Sequence, residues 1–172
     1  MSIAKPEPTE YAPFYAGYVG KVPASGPLAL LESQIAAFEA LGRSAQDKAD
    51  YRYADGKWTV KELLGHVADA ERVFSYRLLR IARADRTPLA GWDENEWAAV
   101  APYAGRPLAD VIAELVAARR STLCLVRSLD EAALSRRGTA NNAEVTVRAL
   151  CWITPGHAQH HLDVLRDRYA VA

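Results

Sequence analysis

Residues 59–84 decide the predicted fold, and they read TVKELLGHVADAERVFSYRLLRIARA. Apolar residues recur in this stretch at steps of three and four, which places them on one face of an α-helix. The residues of this face are Val60, Leu63, Val67, Ala70, Phe74, Leu78 and Ile81. Thr59 and Glu62 have the spacing of a capping box, in which each side chain bonds the backbone N–H of the other residue. The stretch therefore predicts an amphipathic helix that begins at Thr59 and ends near Ala84.

The same periodicity predicts three further helices, at residues 27–42, 107–129 and 146–169. Pro107 suits the first position of a helix, and Gly42 suits the position after a last turn. The segments at 85–106 and 130–144 are predicted to be loops, of which the first can hold a short turn of helix at 92–97, and no segment alternates convincingly like a strand. Four amphipathic helices without strands predict an all-α four-helix bundle.

The N-terminal segment differs from the rest of the chain in composition. Residues 1–26 contain four prolines, which oppose a regular helix, and four aromatic residues. We therefore expect an extended aromatic and proline-rich arm at 1–26 and a bundle domain at 27–172. The arm would wrap the bundle or a partner subunit, and its apolar surface predicts a homodimer.

Composition excludes several classes of function. The 172 residues include 21 basic and 21 acidic side chains, so no positive excess favours nucleic acid as a partner. Charges interrupt every long apolar run, so no membrane span is expected. The first residues lack the apolar segment of a secretory signal, which predicts a cytoplasmic protein. Cys124 and Cys151 lie in apolar helical patterns and are predicted to be buried thiols.

Histidines form the candidate functional site. His157 and His161 lie four residues apart on the predicted last helix, so they point to the same side. His160 points about 100° away from His161. His66 lies on the flank of the buried face of its helix, and bundle packing can bring this flank against the last helix. A His-X-X-X-His pair alone is often accidental, and a lone His66 is more often a core residue. Three neutral imidazoles suit zinc, nickel, copper or ferrous iron and leave a coordination position open.

Other polar residues are further candidates for this site. Arg119 lies within the apolar stripe of its helix, so it is either a salt-bridged buried arginine or a guanidinium that binds an anionic substrate group. Glu62 and Asp69 lie one turn before and after His66, where they either support a ligand imidazole or serve as helix caps and solvated charges. Arg77 lies on the His66 flank nearly three turns away and is a weaker candidate.

Two loop carboxylates and two tryptophans are also candidates for this site. Asp93 and Glu94 either cover the mouth of the pocket or are ordinary loop charges, and the second interpretation is slightly favoured. Trp58 and Trp152 are predicted to be core residues.

Two long runs carry a resemblance to a known family. They read RYADGKWTVKELLGHVADAERVFSYRLLRIAR at 52–83 and GTANNAEVTVRALCWITPGHAQHHL at 138–162. Both resemble the DinB-like superfamily, which includes YfiT-type proteins. The resemblance covers nearly the whole chain, including the aromatic arm and the segment GWDENEW at 91–97. It implies an up-down-down-up four-helix bundle with one divalent ion, held by the residues that match the family ligands, His66, His157 and His161.

The resemblance also implies a class of function. Activities in this superfamily include thiol transfer with bacillithiol or mycothiol and a mycothiol-dependent maleylpyruvate isomerase, and other members are named as metal-dependent hydrolases. We expect a metal-dependent enzyme that activates a thiol or water and acts on a small molecule. Zinc or nickel is the expected ion, and iron, manganese and copper are alternatives. The alternative functions are a non-catalytic metal-binding or stress-response protein and a structural bundle without metal.

Thr154 and Pro155 depart from the family pattern, which has small or branched apolar residues before Gly156. A proline inside a helix removes one backbone hydrogen bond and crowds the preceding turn. Either one bent helix runs through Pro155, or a new helix begins with Thr154 as its cap. The apolar stripe continues on both sides of Pro155, which favours one bent helix.

Overall fold

The computed structural model describes residues 2–171, and most of its elements are helices. They are α1 (Ala16–Val19), α2 (Gly26–Ser44), α3 (Val60–Ala82), α4 (Glu94–Val100), α5 (Leu108–Arg127), α6 (Glu131–Leu134) and α7 (Val147–Tyr169). The four long helices, α2, α3, α5 and α7, differ from the predicted bounds by two residues or fewer. The predicted all-α four-helix bundle is confirmed. Within the described residues, no helix is both long and apolar enough to cross a membrane.

The way in which the four long helices pack determines which helices carry the histidines side by side. α3 packs against α5 and α7, and α2 packs against the same two helices. α2 and α3 follow each other in the chain but therefore lie diagonally across the bundle. This arrangement puts α3, which carries His66, beside α7, which carries His157 and His161.

A layer of polar side chains divides the core into two apolar clusters. One cluster contains Leu31 and Phe74, and the other contains Phe38 and Leu63. Between them, each long helix contributes buried polar residues. These residues, called the polar layer below, are Gln34, Glu71, Arg119, Thr154 and His157. Most buried polar groups in proteins are paired, but Oε1 of Glu71 and Nε of Arg119 have no hydrogen-bond partner within residues 2–171.

α7 runs without interruption through Pro155, so a single helix is confirmed, and the bend at Pro155 stays a prediction. Two side chains add hydrogen bonds to the backbone around the proline. The Thr154 hydroxyl donates to the carbonyl of Leu150 at 2.8 Å, and the Gln34 amide donates to the carbonyl of Pro155 at 2.9 Å. The polar layer therefore holds the turn that directly precedes His157.

Replacement of Pro155 by alanine is expected to stabilise the metal-free protein by about 1–3 kcal/mol. Proline costs about 3 kcal/mol relative to alanine inside a helix. The gain is smaller than this because Pro155 is buried and alanine fills less of its volume. Thermal melts of the metal-free wild type and Pro155→Ala measure the difference. A lower melting temperature in the variant would contradict the expectation.

A β-hairpin occupies part of the segment predicted to be a loop. Strand β1 (Arg137–Ala140) pairs antiparallel with β2 (Ala143–Thr146). Asn141 and Asn142 form the turn, with φ angles of 52° and 59°. The prediction of an irregular loop is therefore wrong here. The Asn-Asn pair could have indicated the hairpin, because asparagine tolerates the left-handed backbone of tight hairpin turns.

The N-terminal arm packs against its own bundle. It forms 3₁₀ turns at Pro8–Glu10 and Pro13–Tyr15 and continues into α1, so it is not extended throughout. Pro8 and Pro13 each stand at the first position of a turn, where the missing N–H of proline has no consequence. Two ion pairs connect the arm to α7, Glu10 with Arg148 at 3.1 Å and Lys21 with Asp163 at 2.6 Å. The division of the chain at residue 26 stays a prediction.

Candidate metal centre

Three histidine side chains converge between α3 and α7. The Nε2 atom of His157 lies 3.2 Å from Nε2 of His66 and 3.1 Å from Nε2 of His161. One nitrogen from each ring can be chosen so that all three lie within 4.8 Å of one another. His160 does not belong to this group. The structure thus brings together the three histidines that sequence analysis singled out.

Burial favours the neutral form of these imidazoles. Loss of solvation lowers the pKa of His66 to about 4. Burial also lowers the pKa of His157 and His161 well below the usual value, and the neighbouring histidines add to the effect. Neutral imidazole is the form that binds a metal ion. The pocket therefore presents three unprotonated donors to one point.

The spacing of the donors fits a divalent transition-metal ion. At metal–nitrogen distances of about 2.0–2.1 Å, tetrahedral ligands lie roughly 3.3 Å apart. The Nε2 atom of His157 lies 3.2 Å from that of His66 and 3.1 Å from that of His161, and both separations are close to this value. Nδ1 of His161 is buried and has no hydrogen-bond partner within residues 2–171. At most metal sites, a hydrogen bond to the second ring nitrogen fixes the orientation of a histidine ligand. No such bond reaches His161 from the described residues.

A cavity of about 380 Å³ borders the histidine cluster, and it is called the histidine cavity below. Its aromatic walls are Phe14, Tyr15, Tyr18, Trp58, Phe74 and Trp92. The His157 ring centroid lies 5.3 Å from that of Tyr18 and 5.4 Å from that of Phe74. Polar lining comes from Glu94, Asn141 and His160. The histidines therefore face a small, mostly aromatic space that can take a small molecule.

Several wall residues come from segments outside the long helices. The arm supplies Tyr15 and Tyr18, and the hairpin turn supplies Asn141. None of these residues was predicted to belong to the site, because only long-range packing brings them there. Trp58 was predicted to be a core residue, but it lines the cavity with its ring centroid 4.9 Å from that of His66.

Asp93 and Glu94 have separate roles. The Asp93 carboxylate caps α4, accepting from the backbone N–H of Asn95 at 2.8 Å. Glu94 follows it at the start of α4 and lines the cavity. For Glu94, the less favoured interpretation, a residue at the mouth of the pocket, matches the structure.

Glu62 and Asp69 are engaged away from the histidines. The Glu62 carboxylate accepts from the backbone N–H of Thr59 at 2.7 Å, which completes the predicted capping box. Asp69 bonds the Tyr103 hydroxyl and lies 3.5 Å from Arg72. Among the described contacts, neither carboxylate reaches a histidine, so the structure does not support the proposed supporting role. Glu62 serves as part of the helix cap, and Asp69 pairs with Tyr103 and the neighbouring Arg72.

Arg119 belongs to the polar layer and does not line the histidine cavity. Its Nη2 donates to Oε2 of Glu71 at 2.8 Å, and its Nη1 donates to the side-chain carbonyl of Gln34. A buried guanidinium needs such a counter-ion. The structure therefore matches the salt-bridged alternative for Arg119, which is absent from the lining of the histidine cavity.

The two cysteines lie in different environments. Cys151 is buried, and burial raises the pKa of its thiol to about 12. Cys124 is exposed, so the prediction of two buried thiols is wrong at this position. Neither cysteine belongs to the histidine cluster.

Gly156 allows the arm to approach α7 beside His157. A Cβ atom at position 156 would lie 2.1 Å from the carbonyl oxygen of Tyr18. Atoms this close cannot coexist without movement of the backbone. The lack of a side chain at Gly156 therefore allows the Tyr18 wall of the cavity to pack against the helix that carries two of the histidines.

Gly156→Ala is expected to displace α1 from α7 and to destabilise the protein by about 1–3 kcal/mol, the usual range for overpacking. Gly17→Ala is the matched control, because a Cβ atom there meets nothing within 4 Å. Urea unfolding of both variants beside the wild type measures the effect. Equal stability of Gly156→Ala and Gly17→Ala would contradict the expectation.

Residues 29–165 match the sequence model of the DinB superfamily. The chain belongs to the DinB superfamily. It is 27% identical over 112 residues to a protein of Oceanobacillus iheyensis whose name describes an inferred metal-dependent hydrolase, and the match covers 64% of each chain. A second protein of that organism, named in the same way, is 25% identical over 118 residues, with 67% of each chain covered. The matches thus span about two thirds of the length of these two relatives.

Two solved structures resemble this DinB-superfamily chain. YfiT from Bacillus subtilis, described as an inferred metal-dependent hydrolase with an unusual four-helix bundle topology, has a TM-score of 0.74 at 19% identity. The match covers 98% of this chain and 95% of YfiT. A mycothiol-dependent maleylpyruvate isomerase has a TM-score of 0.65 at 17% identity, covering 84% of this chain and 62% of the isomerase. These likenesses show the fold, so the predicted DinB/YfiT-like bundle is confirmed.

Proposed function

We propose that this chain is a metal-dependent enzyme in which His66, His157 and His161 bind one divalent ion. Zinc or nickel is the first choice of ion, and iron, manganese and copper are alternatives. The observation that carries the proposal is the convergence of three neutral imidazoles on one point beside the histidine cavity. A structural zinc ion is usually enclosed by four protein ligands, whereas three ligands beside a cavity leave room for a reactant.

The ion would lower the pKa of a water or thiol bound beside it, which makes that group nucleophilic at neutral pH. The aromatic walls would exclude bulk water and pack against the apolar part of a small substrate. Glu94 contributes a carboxylate to the cavity and is the candidate acceptor for the proton that the thiol or water releases.

Two reaction classes fit this arrangement. One is transfer of a low-molecular-weight thiol to a small electrophile, and the name of the mycothiol-dependent neighbour supports it. The other is hydrolysis, supported by the names of the Oceanobacillus relatives and by the description of YfiT. The alternative function is a non-catalytic metal-binding or stress-response protein.

Elemental analysis of the purified protein is the first test, and about one divalent ion per chain is expected. Metal-loaded and chelator-treated protein are then compared in a thiol-conjugation assay and in hydrolysis of 4-nitrophenyl esters. One activity should be present in the loaded protein, disappear on chelation and return when metal is restored. A loaded protein that catalyses neither reaction and binds no thiol would favour the non-catalytic alternative.

The homodimer and the cytoplasmic location stay predictions. The arm buries Tyr15 and Val19 against its own bundle, which covers part of the apolar surface that suggested a partner subunit. Phe14, 60% exposed, remains available for such a contact. Light scattering across the micromolar range tests the dimer, and a clean monomer mass would reject it.

A further inference from the structure

α3 and α5 each bury one arginine, and the two differ in how their charge is balanced. Arg119 is paired with Glu71 at 2.8 Å. Arg77 is 1% exposed, yet within residues 2–171 its recorded polar contacts include no carboxylate. A buried charge without a counter-ion is strongly destabilising. Arg77 therefore keeps the capacity to pair with an anion that is not part of the described chain.

Arg77 does not line the histidine cavity itself, but its guanidinium lies against two residues that do, Trp92 and Tyr15. Its Nη2 donates to the carbonyl of Ala90 at 2.6 Å, and its Cζ lies 4.9 Å from the centroid of the Trp92 ring. The Arg77 side chain also donates a hydrogen bond to the Tyr15 hydroxyl oxygen. Burial raises the pKa of that hydroxyl, and Arg77 opposes the rise. Nη1 of Arg77 is buried without a hydrogen-bond partner in the described chain.

Tyr15 can connect Arg77 to a molecule in the cavity through hydrogen bonds. A guanidinium has only donors, so the Tyr15 oxygen can only accept from Arg77. The Tyr15 O–H then remains free to donate to another group, and Tyr15 lines the histidine cavity. Hydrogen bonds to ionised acceptors are about twice as strong as neutral ones. Tyr15 and Arg77 together therefore favour an acceptor that carries negative charge.

We propose that Arg77 and Tyr15 form the anion-binding element of the histidine cavity, and that its substrate is a small organic carboxylate with an apolar or aromatic body. The inference rests on the proposed function only in taking this cavity as the substrate site. Arg77 lies eleven residues after His66, on the same face of α3 about three turns away. A bound molecule would direct its carboxylate towards Tyr15 and its other end towards the histidines.

The opposing charge in the cavity is weaker. Glu94 also lines it, but Glu94 is exposed to solvent, where water and salt screen its field. Arg77 is buried, so its field acts through a medium of lower dielectric constant. The balance therefore favours an anion over a cation at the Tyr15 end of the cavity.

Binding of benzoate and of its uncharged analogue benzamide to metal-free, full-length protein tests this proposal. Calorimetry and tryptophan fluorescence measure the affinities, and the absence of metal removes any coordination of the carboxylate. We expect the wild type to prefer benzoate by about tenfold or more. Arg77→Met should abolish the preference, Tyr15→Phe should reduce it several-fold, and Arg77→Lys should retain most of it.

Arg80→Met is the matched control. Arg80 lies three residues further along α3 and is paired with Asp85, so its removal should leave the benzoate preference unchanged. Equal losses in Arg80→Met and Arg77→Met would overturn the proposal. So would equal affinity of the wild type for both probes, or no saturable benzoate binding in the millimolar range.

Two further outcomes keep the test decisive. If Arg77→Met does not fold, Tyr15→Phe replaces it, and an unchanged benzoate preference in that variant overturns the proposal. Because all measurements use metal-free protein, failure of the chain to bind metal would reject the proposed function and leave this result unaffected.

Discussion

Alanine at His66, His157 or His161 is expected to empty the metal centre, with a loss of affinity for zinc or nickel of more than about 100-fold. Removal of a residue that merely supports a ligand already weakens metal binding by about 10- to 100-fold, and loss of a ligand removes a bond to the ion itself. Elemental analysis after dialysis against each metal, followed by calorimetric titration, measures both the stoichiometry and the affinity.

His160→Ala is the matched control for these three variants. The His160 ring lies 5.6 Å from Tyr18 and 5.0 Å from His161 between ring centroids, but His160 is outside the convergent group. It is expected to retain about one ion per chain, like the wild type. An empty site in His160→Ala, or a full site in His157→Ala, would show that the ligands have been misassigned.

Glu71→Ala is expected to destabilise the protein by about 3–5 kcal/mol, the range found when one partner of a buried ion pair is removed. Arg119 is 0% exposed and would keep its charge without a carboxylate. Urea unfolding at several protein concentrations measures the change. Glu114→Ala is the matched control, because Glu114 is only half-buried and its ion pairs with Arg72 and Arg106 should contribute about 1 kcal/mol or less.

The double variant Glu71→Leu/Arg119→Met separates a structural role of this pair from a role in binding. Apolar residues of similar volume often replace a buried ion pair without loss of stability. The double variant should therefore recover most of the stability that Glu71→Ala loses. A double variant less stable than Glu71→Ala would contradict this expectation. Unchanged benzoate binding in the double variant would agree with the position of Arg119 outside the histidine cavity.

Helices and the HxxxH pair could be predicted because both depend on local geometry. The three- and four-residue spacing along residues 59–84 is a property of neighbouring residues, and α3 follows it closely. His157 and His161 lie one turn apart on any helix, so their approach needed no knowledge of the fold. The Thr59–Glu62 capping box is equally local, and it formed as predicted. The family resemblance added His66, which spacing alone supported only modestly.

Residues distant in the chain could not be placed in this way. Tyr15 and Asn141 reach the histidine cavity because the arm and the hairpin pack there, and no local pattern encodes that packing. The two buried arginines show the same limit. Both lie on the inner faces of helices, but their contrasting partners depend on which side chains approach from other elements.

By itself, the sequence determined four amphipathic helices, the capping box that begins α3 and a pair of histidines on one face of α7, because each is settled within a few turns of backbone. Only the tertiary structure decided that α3 lies beside α7 and that the arm closes over His157 at Gly156. It also decided that Arg119 is neutralised by Glu71 while Arg77 faces Tyr15 and Trp92. These outcomes depend on the order in which the helices pack around the core, and many segments contribute to that order at once.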